Sequence, residues 1–222
     1  MPSDGSPTFP CGPAPFLIAG PAGPLEAVAA CPAPESERPA SVVVLHPHSL
    51  HGGTLQNKVV HTVARSFTEL GARSVRFNFR GVGKSAGTYA NGVGETDDAL
   101  AVLSWLRARR PNDAIFLAGF SFGAYVALRA AALFPLAGLL TIAPAVHLYD
   151  FSQLATPRVP WFLFQGERDE IVPAPAVREW AARQTPPPTL VAFPDAGHFF
   201  HQRLHELRAA ITEHFAPLLP PH

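Results

Sequence analysis

The segment from Ala114 to Phe134 limits most strongly what this chain can fold into. An apolar run, Ala114–Ala118, precedes a Gly-Phe-Ser-Phe-Gly pentapeptide centred on Ser121, and an Ala- and Leu-rich stretch follows it up to Pro135. The run is typical of a buried strand, and the stretch is typical of a helix. A strand that turns directly into a helix strains the residue in the turn and needs small neighbours. The pattern therefore predicts that Ser121 presents its hydroxyl beside a helix N-terminus.

Strand-like and helix-like segments alternate along most of the remaining chain. The other predicted strands are Ser41–Leu45, Ser74–Asn78, Leu139–Ala143, Pro160–Gly166 and Thr189–Phe193. The predicted helices are Asn57–Leu70, Thr96–Arg110, Ala124–Phe134, Val177–Arg183 and His201–Phe215. Alternation of this kind indicates a mostly parallel sheet covered by helices on both faces. Two earlier segments, Phe16–Ala19 and Leu25–Ala30, predict an antiparallel hairpin.

A serine hydroxyl needs a base within hydrogen-bond reach, and the base needs an orienting carboxylate. Both partners follow later strands, at Asp169 and His198. The carboxyl ends of parallel strands meet at one edge of a sheet, where ligands of such folds bind. We therefore predict that Ser121, Asp169 and His198 form a catalytic group. The alternative acids are Glu167, Glu170 and Asp195.

The chain resembles α/β-hydrolases from about Phe16 to Leu219. More narrowly, it is similar to small lidless bacterial serine hydrolases related to the dienelactone hydrolase and carboxylesterase branch. The motifs that carry this narrower resemblance are His46-Pro47-His48, Gly52-Gly53, Asn57-Lys58-Val59-Val60, the segment from Val75 to Ser85, and Gly94-Glu95-Thr96-Asp97-Asp98. Dienelactone hydrolases use a cysteine nucleophile, whereas this chain has Ser121, which favours ordinary esters.

The resemblance implies a three-layer α/β sandwich without a cap domain, with residues 1–222 forming one domain and residues 1–12 flexible. It also implies an oxyanion hole made by the backbone amides of Phe122 and His48, with Ser49 as an alternative to His48. Pro47 is excluded as a donor because it has no N–H.

The segment Ala145–Thr156 is too short for a helical cap, so we expect a shallow pocket. Its expected walls are Phe120, Val146, Leu148, Tyr149 and Phe199. The expected reaction is hydrolysis of short-chain soluble esters through an acyl-enzyme. A thioesterase, lactonase, amidase or peptidase would use the same residues, and a non-catalytic binding protein is a further alternative.

Composition bears on partners and location. The chain has 17 Lys and Arg against 17 Asp and Glu, which argues against nucleic acid and anionic membranes as partners. Its start resembles no secretory signal, so we expect a cytoplasmic protein that acts on a small-molecule ester; a homodimer is possible. No cofactor is expected, and His46, His48 and His51 lack the further ligands of a metal site. Cys11 and Cys31 could face each other across the hairpin, but we predict unpaired thiols for a reducing cytosol.

Overall fold

The computed structural model describes residues 9–221. Flexibility was predicted for residues 1–12, of which residues 1–8 lie outside the described residues; Phe9 packs 5.8 Å from Trp105 between ring centroids. The strands are β1 (Gly12–Gly20), β2 (Gly23–Ala30), β3 (Ala40–Leu45), β4 (Arg73–Phe77), β5 (Ala114–Phe120), β6 (Gly138–Ile142), β7 (Trp161–Gly166) and β8 (Thr189–Phe193). The α-helices are α1 (Lys58–Glu69), α2 (Val93–Arg109), α3 (Phe122–Ala131), α4 (Ala174–Ala182) and α5 (Leu204–Phe215).

All eight strands form one sheet in the order β1-β2-β4-β3-β5-β6-β7-β8. β2 runs antiparallel to both β1 and β4, whereas the pairs from β4 through β3 to β8 are parallel. This topology confirms the predicted mostly parallel sheet with an N-terminal antiparallel hairpin. The loops that follow β5, β7 and β8 consequently emerge at the same edge of the sheet.

Helices cover both faces of the sheet. Val42 and Val44 of β3 pack in the core beneath α1 and α5, and the alternate residues Val43 and Leu45 pack in the core beneath α2, α3 and α4. Side chains alternate between the two faces along a strand, so a central strand buried on both sides is apolar at every position. The three predicted layers are therefore present.

Helix α2 begins three residues earlier than the sequence suggested. We predicted a helix over Thr96–Arg110, but the helix starts at Val93 after Gly92, whose φ is 87°. The Glu95 carboxylate accepts hydrogen bonds from the amides of Ala90 and Gly92, at 2.8 and 2.7 Å. Glu95 thus satisfies amides before the first turn, and the Thr96 hydroxyl donates to the Gly92 carbonyl instead of capping the helix.

The prediction of unpaired thiols is wrong in this structure, which joins Cys11 and Cys31 by a disulfide. Their Cα atoms lie 5.5 Å apart. The hairpin pairs Gly12 with Ala29, and this pairing brings Cys11, just before β1, close to Cys31, just after β2. The register of this hairpin shifts between Gly12 and Phe16, so the sequence alone did not predict that the two cysteines are paired.

Candidate active site

Ser121 occupies the sharp turn between β5 and α3. Its φ and ψ are 55° and −113°, a conformation that non-glycine residues rarely adopt. Its amide donates to the Ile142 carbonyl of the neighbouring strand at 2.8 Å, which anchors the turn to the sheet. A Cβ at Gly119 would lie 2.2 Å from the Gly123 carbonyl oxygen, and one at Gly123 would lie 2.5 Å from the Leu45 carbonyl oxygen. Both glycines are therefore required by close backbone approach.

Ser121 borders a cavity of about 170 Å³. Its lining residues are Pro47, His48, His51, Gly52, Gly53, Asn57, Ser121, Phe122, Ala145, Leu148, Tyr149, Ile171, His198 and Phe199. Since pockets for drug-sized ligands measure roughly 300–1,000 Å³, this cavity suits only a small molecule or a small group of a larger one. A wider cleft of about 740 Å³ between α1 and α5 includes neither Ser121 nor His198 in its lining.

The imidazole of His198 lies on the same cavity and is held by Asp169. The Nδ1 atom of His198 is 2.9 Å from Oδ2 of Asp169. The ring of His198 also packs on Phe120, with centroids 4.9 Å apart, and the His198 side chain is 3 % exposed. Since an ionised carboxylate can only accept, Nδ1 carries the hydrogen and Nε2 is left as the basic atom.

Four groups donate hydrogen bonds to the Asp169 carboxylate. Oδ1 accepts from the amides of Val172 and Ile171 at 2.6 and 2.9 Å, and Oδ2 accepts from His198 and from Nε2 of Gln165 at 3.2 Å. Burial raises the pKa of Asp169, but the hydrogen bonds from His198, Val172 and Ile171 outweigh it and leave that pKa below its usual value. The carboxylate is therefore ionised at neutral pH and can stabilise a protonated imidazole.

The three alternative acids have other contacts. Glu167 pairs with Arg178, and Asp195 pairs with Arg168 at 2.8 Å on the surface. Glu170 accepts the backbone amide of His198 at 3.1 Å and does not contact the ring. Of the four acidic candidates, Asp169 is the one bonded to the imidazole.

The loop after β3 brings His48 to the cavity. Its carbonyl accepts from the amides of His51 and Gly53 at 3.1 and 3.0 Å, and its ring lies 5.2 Å from that of Phe122. Phe122 is the first residue of α3, so its amide has no preceding turn within the helix to bond. Ser49, the alternative to His48, does not line the cavity, and its buried hydroxyl has no hydrogen-bond partner among the described residues.

A buried histidine holds this loop from behind. His46 accepts the Phe79 amide at Nε2, 3.0 Å away, and donates from Nδ1 to the Pro47 carbonyl at 2.6 Å. Burial lowers the pKa of His46 to about 4, with a smaller contribution from His48. In the neutral tautomer, both ring nitrogens of His46 form hydrogen bonds. His46 is therefore structural, and an uncharged side chain fixes the loop.

Three of the five residues predicted to form the pocket walls line the observed cavity. Leu148, Tyr149 and Phe199 line the cavity, but Phe120 and Val146 do not. Phe120 faces the α1–α5 layer, where it is 1 % exposed, because side chains alternate along β5. Val146 lines a separate hollow with Phe151 instead.

The segment between β6 and β7 contains no helix and forms no cap over the cavity. Tyr149 from this segment stacks on Tyr125 at 4.9 Å between ring centroids. Burial raises the pKa of Tyr149, and a hydrogen bond with Tyr89 raises it further. The segment is thus anchored by aromatic contacts at the place where a lid would otherwise be inserted.

Sequence reasoning missed Gln165, Asn57, His51 and Ile171, which contact Asp169 or line the cavity. Gln165 had a usable signal, since it is a polar residue at the end of an apolar strand and buried polar groups need partners. The other three lie in loops or at a helix end, where no local pattern distinguishes a cavity residue from a surface residue.

Within residues 9–221, no three His, Cys, Asp or Glu side chains are grouped so that they could hold a metal ion. None of the helices in this range is long and apolar enough to cross a membrane.

Comparison with known proteins identifies the family. Residues 37–155 match the family model described as serine aminopeptidase, S33. The chain belongs to this family of α/β-hydrolases. It is 38% identical over 182 residues to an uncharacterized protein of Rickettsia prowazekii, covering 78% of this chain and 76% of the relative.

Two solved structures are similar over nearly the whole chain. A lidless α/β serine hydrolase from Xanthomonas campestris is 46% identical, with a TM-score of 0.92 and coverage of 97% of this chain and 99% of that one. An α/β serine hydrolase homologue from Coxiella burnetii is 44% identical, with a TM-score of 0.89 and coverage of 93% and 99%. These similarities confirm the predicted α/β-hydrolase fold without a lid.

Proposed function

We propose that this α/β-hydrolase cleaves short-chain, water-soluble carboxylic esters through an acyl-enzyme intermediate. The observation that carries the proposal is the arrangement of Ser121 and His198 on one cavity, with the Asp169 carboxylate 2.9 Å from Nδ1 of His198. In this arrangement Nε2 of His198 is free of the carboxylate and can take a proton from a hydroxyl in the cavity.

The reaction proceeds in two halves. Oγ of Ser121 attacks the ester carbonyl carbon while Nε2 of His198 takes the hydroxyl proton, and the carbonyl oxygen gains the negative charge. The amides of Phe122 and His48 stabilise that oxyanion, each contributing about 3 kcal/mol to the transition state. The C–O bond to the alcohol then breaks and His198 protonates the leaving alcohol. Water, deprotonated by His198, attacks the acyl-enzyme in the same way and releases the acid.

The lining of the cavity favours a neutral ester over an aminopeptidase substrate. An aminopeptidase must bind the α-ammonium group of its substrate, and burying an unpaired ammonium is costly. No Asp or Glu among the described residues lines the cavity, so its lining offers no carboxylate to pair with an ammonium group. The small cavity likewise supports acyl groups of about 2 to 4 carbons, since further methylenes would find no wall to contact.

The test uses a fluorophosphonate probe and a substrate panel. The probe should label Ser121, and Ser121→Ala should abolish labelling and lower ester hydrolysis by several orders of magnitude. Ser152→Ala is the matched control, because Ser152 is exposed and lies outside the cavity lining. Undiminished labelling of Ser121→Ala would refute the assignment of the nucleophile.

The panel separates ester hydrolysis from its alternatives. We expect kcat/KM to be higher for p-nitrophenyl acetate and butyrate than for the octanoate, and to exceed that for alanine p-nitroanilide. Rates that still rise beyond octanoate would contradict the small acyl site. A preference for the anilide, or for thioesters or lactones, would reassign the substrate class while keeping the same residues.

A further inference from the structure

One residue that lines the cavity, Asn57, has a side-chain NH₂ group without a hydrogen-bond partner among the described residues. Asn57, His51 and the two glycines at positions 52 and 53 contribute the polar lining beside Ser121. Much of the remaining lining is apolar, including Phe122, Leu148 and Phe199. A substrate portion that extends toward Asn57 therefore meets a hydrogen-bonding side chain beside the apolar part of the lining.

The other polar atoms of Asn57 are all engaged within the protein. Its amide donates to the Thr54 carbonyl at 3.0 Å, and its carbonyl accepts from the His61 amide at 2.8 Å. Its Oδ1 accepts from the amides of Val59 and Val60 at 2.9 and 3.3 Å, which caps α1. Because both capping donors require an oxygen, they fix the orientation of the carboxamide and leave Nδ2 as its unused group.

The Nδ2 group of Asn57 has no hydrogen-bond partner among residues 9–221 and is not sealed away from solvent. It carries two N–H donors and therefore suits a carbonyl, ether or hydroxyl oxygen. No Lys or Arg of the described residues lines the cavity. A carboxylate or phosphate would lose its water there without gaining a cation, so an uncharged oxygen is the better ligand.

We propose that Nδ2 of Asn57 is a specificity determinant that donates a hydrogen bond to a second, uncharged oxygen of the substrate, outside the ester that is cleaved. This inference rests on the proposed ester hydrolysis at Ser121. The preferred substrates are then oxygen-bearing esters, such as alkoxyacyl or alkoxyalkyl esters, over all-carbon esters of the same length. The capping role of Asn57 Oδ1 remains, so a single residue both starts α1 and selects substrate.

The experiment compares esters that differ in one atom. On the acyl side these are p-nitrophenyl methoxyacetate and butyrate, and on the alcohol side 2-methoxyethyl acetate and butyl acetate. Asn57→Ser and Asn57→Asp keep an oxygen that can cap α1 but lack the Nδ2 donor. Gln56→Ser is the control, because it removes a neighbouring, exposed carboxamide outside the cavity lining.

For at least one pair, the ratio of kcat/KM for the methoxy ester to that for its isostere should fall about 3- to 10-fold in both Asn57 variants, the effect of one neutral hydrogen bond. The inductive effect of the methoxy oxygen cancels, since each ratio is compared with that of the wild type. The control should keep the wild-type ratios. Unchanged ratios in both Asn57 variants, or equal losses for both members of each pair, would overturn the proposal.

A binding measurement keeps this test independent of catalysis and of the folding of the Asn57 variants. In Ser121→Ala protein labelled with ¹⁵N, the Asn57 side-chain amide resonance should shift on addition of methyl methoxyacetate and stay in place with methyl butyrate. The same response to both esters would refute the role of Nδ2. If the wild type hydrolysed no ester while this selective shift were present, the proposed function would fail and the binding role of Asn57 would stand.

Discussion

The buried imidazole of His46 should make the stability of this protein depend on pH in a defined window. Its pKa falls from the usual 6.5 to about 4, chiefly through burial. The geometry gives a second reason, because protonation at Nε2 would set an N–H against the Phe79 amide hydrogen that Nε2 now accepts. The unfolded chain therefore binds a proton below pH 6.5 that the folded chain accepts only near pH 4.

The sign and size of this effect follow from proton linkage. A folded pKa below the unfolded value means that the stabilisation is full above pH 6.5 and is lost as the pH falls through 4. Since one pH unit corresponds to about 1.4 kcal/mol, the free energy of unfolding should fall by about 2 kcal/mol between pH 8 and pH 5 on account of His46 alone. The loss should approach about 3 kcal/mol at pH 4.

The assay is urea unfolding of the wild type and of His46→Gln at pH 8 and pH 5. Glutamine keeps one donor and one acceptor but does not titrate. Because it disturbs the two hydrogen bonds of the buried imidazole, the variant should be less stable than the wild type at pH 8, by about 1–3 kcal/mol. It should then lose about 2 kcal/mol less than the wild type at pH 5. Other groups, such as His48 and His61, titrate in both proteins and cancel in the difference.

Equal pH dependence of the two proteins would refute this reasoning. NMR of the wild-type imidazoles tests it without a variant, because the His46 ring should hold its hydrogen on Nδ1 and titrate near pH 4. A His46 ring that titrates near 6.5 would show that the histidine behind the loop is not held neutral by the fold.

Three further predictions concern other parts of the molecule. Asp169→Asn should lower kcat about 10³- to 10⁴-fold, because the imidazole loses its orienting carboxylate, and the variant should keep the fold; a rate near that of the wild type would contradict this role. Gly123→Ala should destabilise the protein, as its Cβ would lie 2.5 Å from the Leu45 carbonyl oxygen, and an unchanged melting temperature would mean that the turn can relax. Replacing both Cys11 and Cys31 by serine should lower the free energy of unfolding by about 2–4 kcal/mol, since the disulfide closes a loop over a sequence separation of 20, and should leave kcat/KM unchanged because neither residue lines the cavity. Urea unfolding and ester hydrolysis measured together would show either part of that last prediction to be wrong.

Local patterns were enough to predict the fold class and the order of its elements. The apolar run before Ser121 and the helix after it lie within about twenty residues, where propensity and periodicity act directly. The same reasoning placed β8 at Thr189–Phe193, as observed. Helix ends were less well predicted, because the start of α2 depends on the Glu95 side chain reaching back to two amides.

Contacts between distant loops were decided by the tertiary structure. The sequence offered four carboxylates as candidate partners of His198. The parallel pairing of β7 with β8 places Asp169 beside the imidazole ring. The register of the N-terminal hairpin likewise paired two cysteines whose separation in sequence did not settle the matter. In both cases the answer depends on distances of a few ångströms between loops, set by which strands are neighbours and in which register.

By itself, the sequence determined that Ser121 follows a buried strand, opens a helix and precedes an acid and a histidine on later loops. Those features are encoded by residues adjacent in the chain, so periodicity and the two glycines suffice to reveal them. Only the folded chain decided that Phe120 packs behind His198 without lining the cavity, and that Asn57 is one of the lining residues. The physical reason is that a side chain's surroundings depend on which elements pack around it, and packing joins residues that are far apart in sequence.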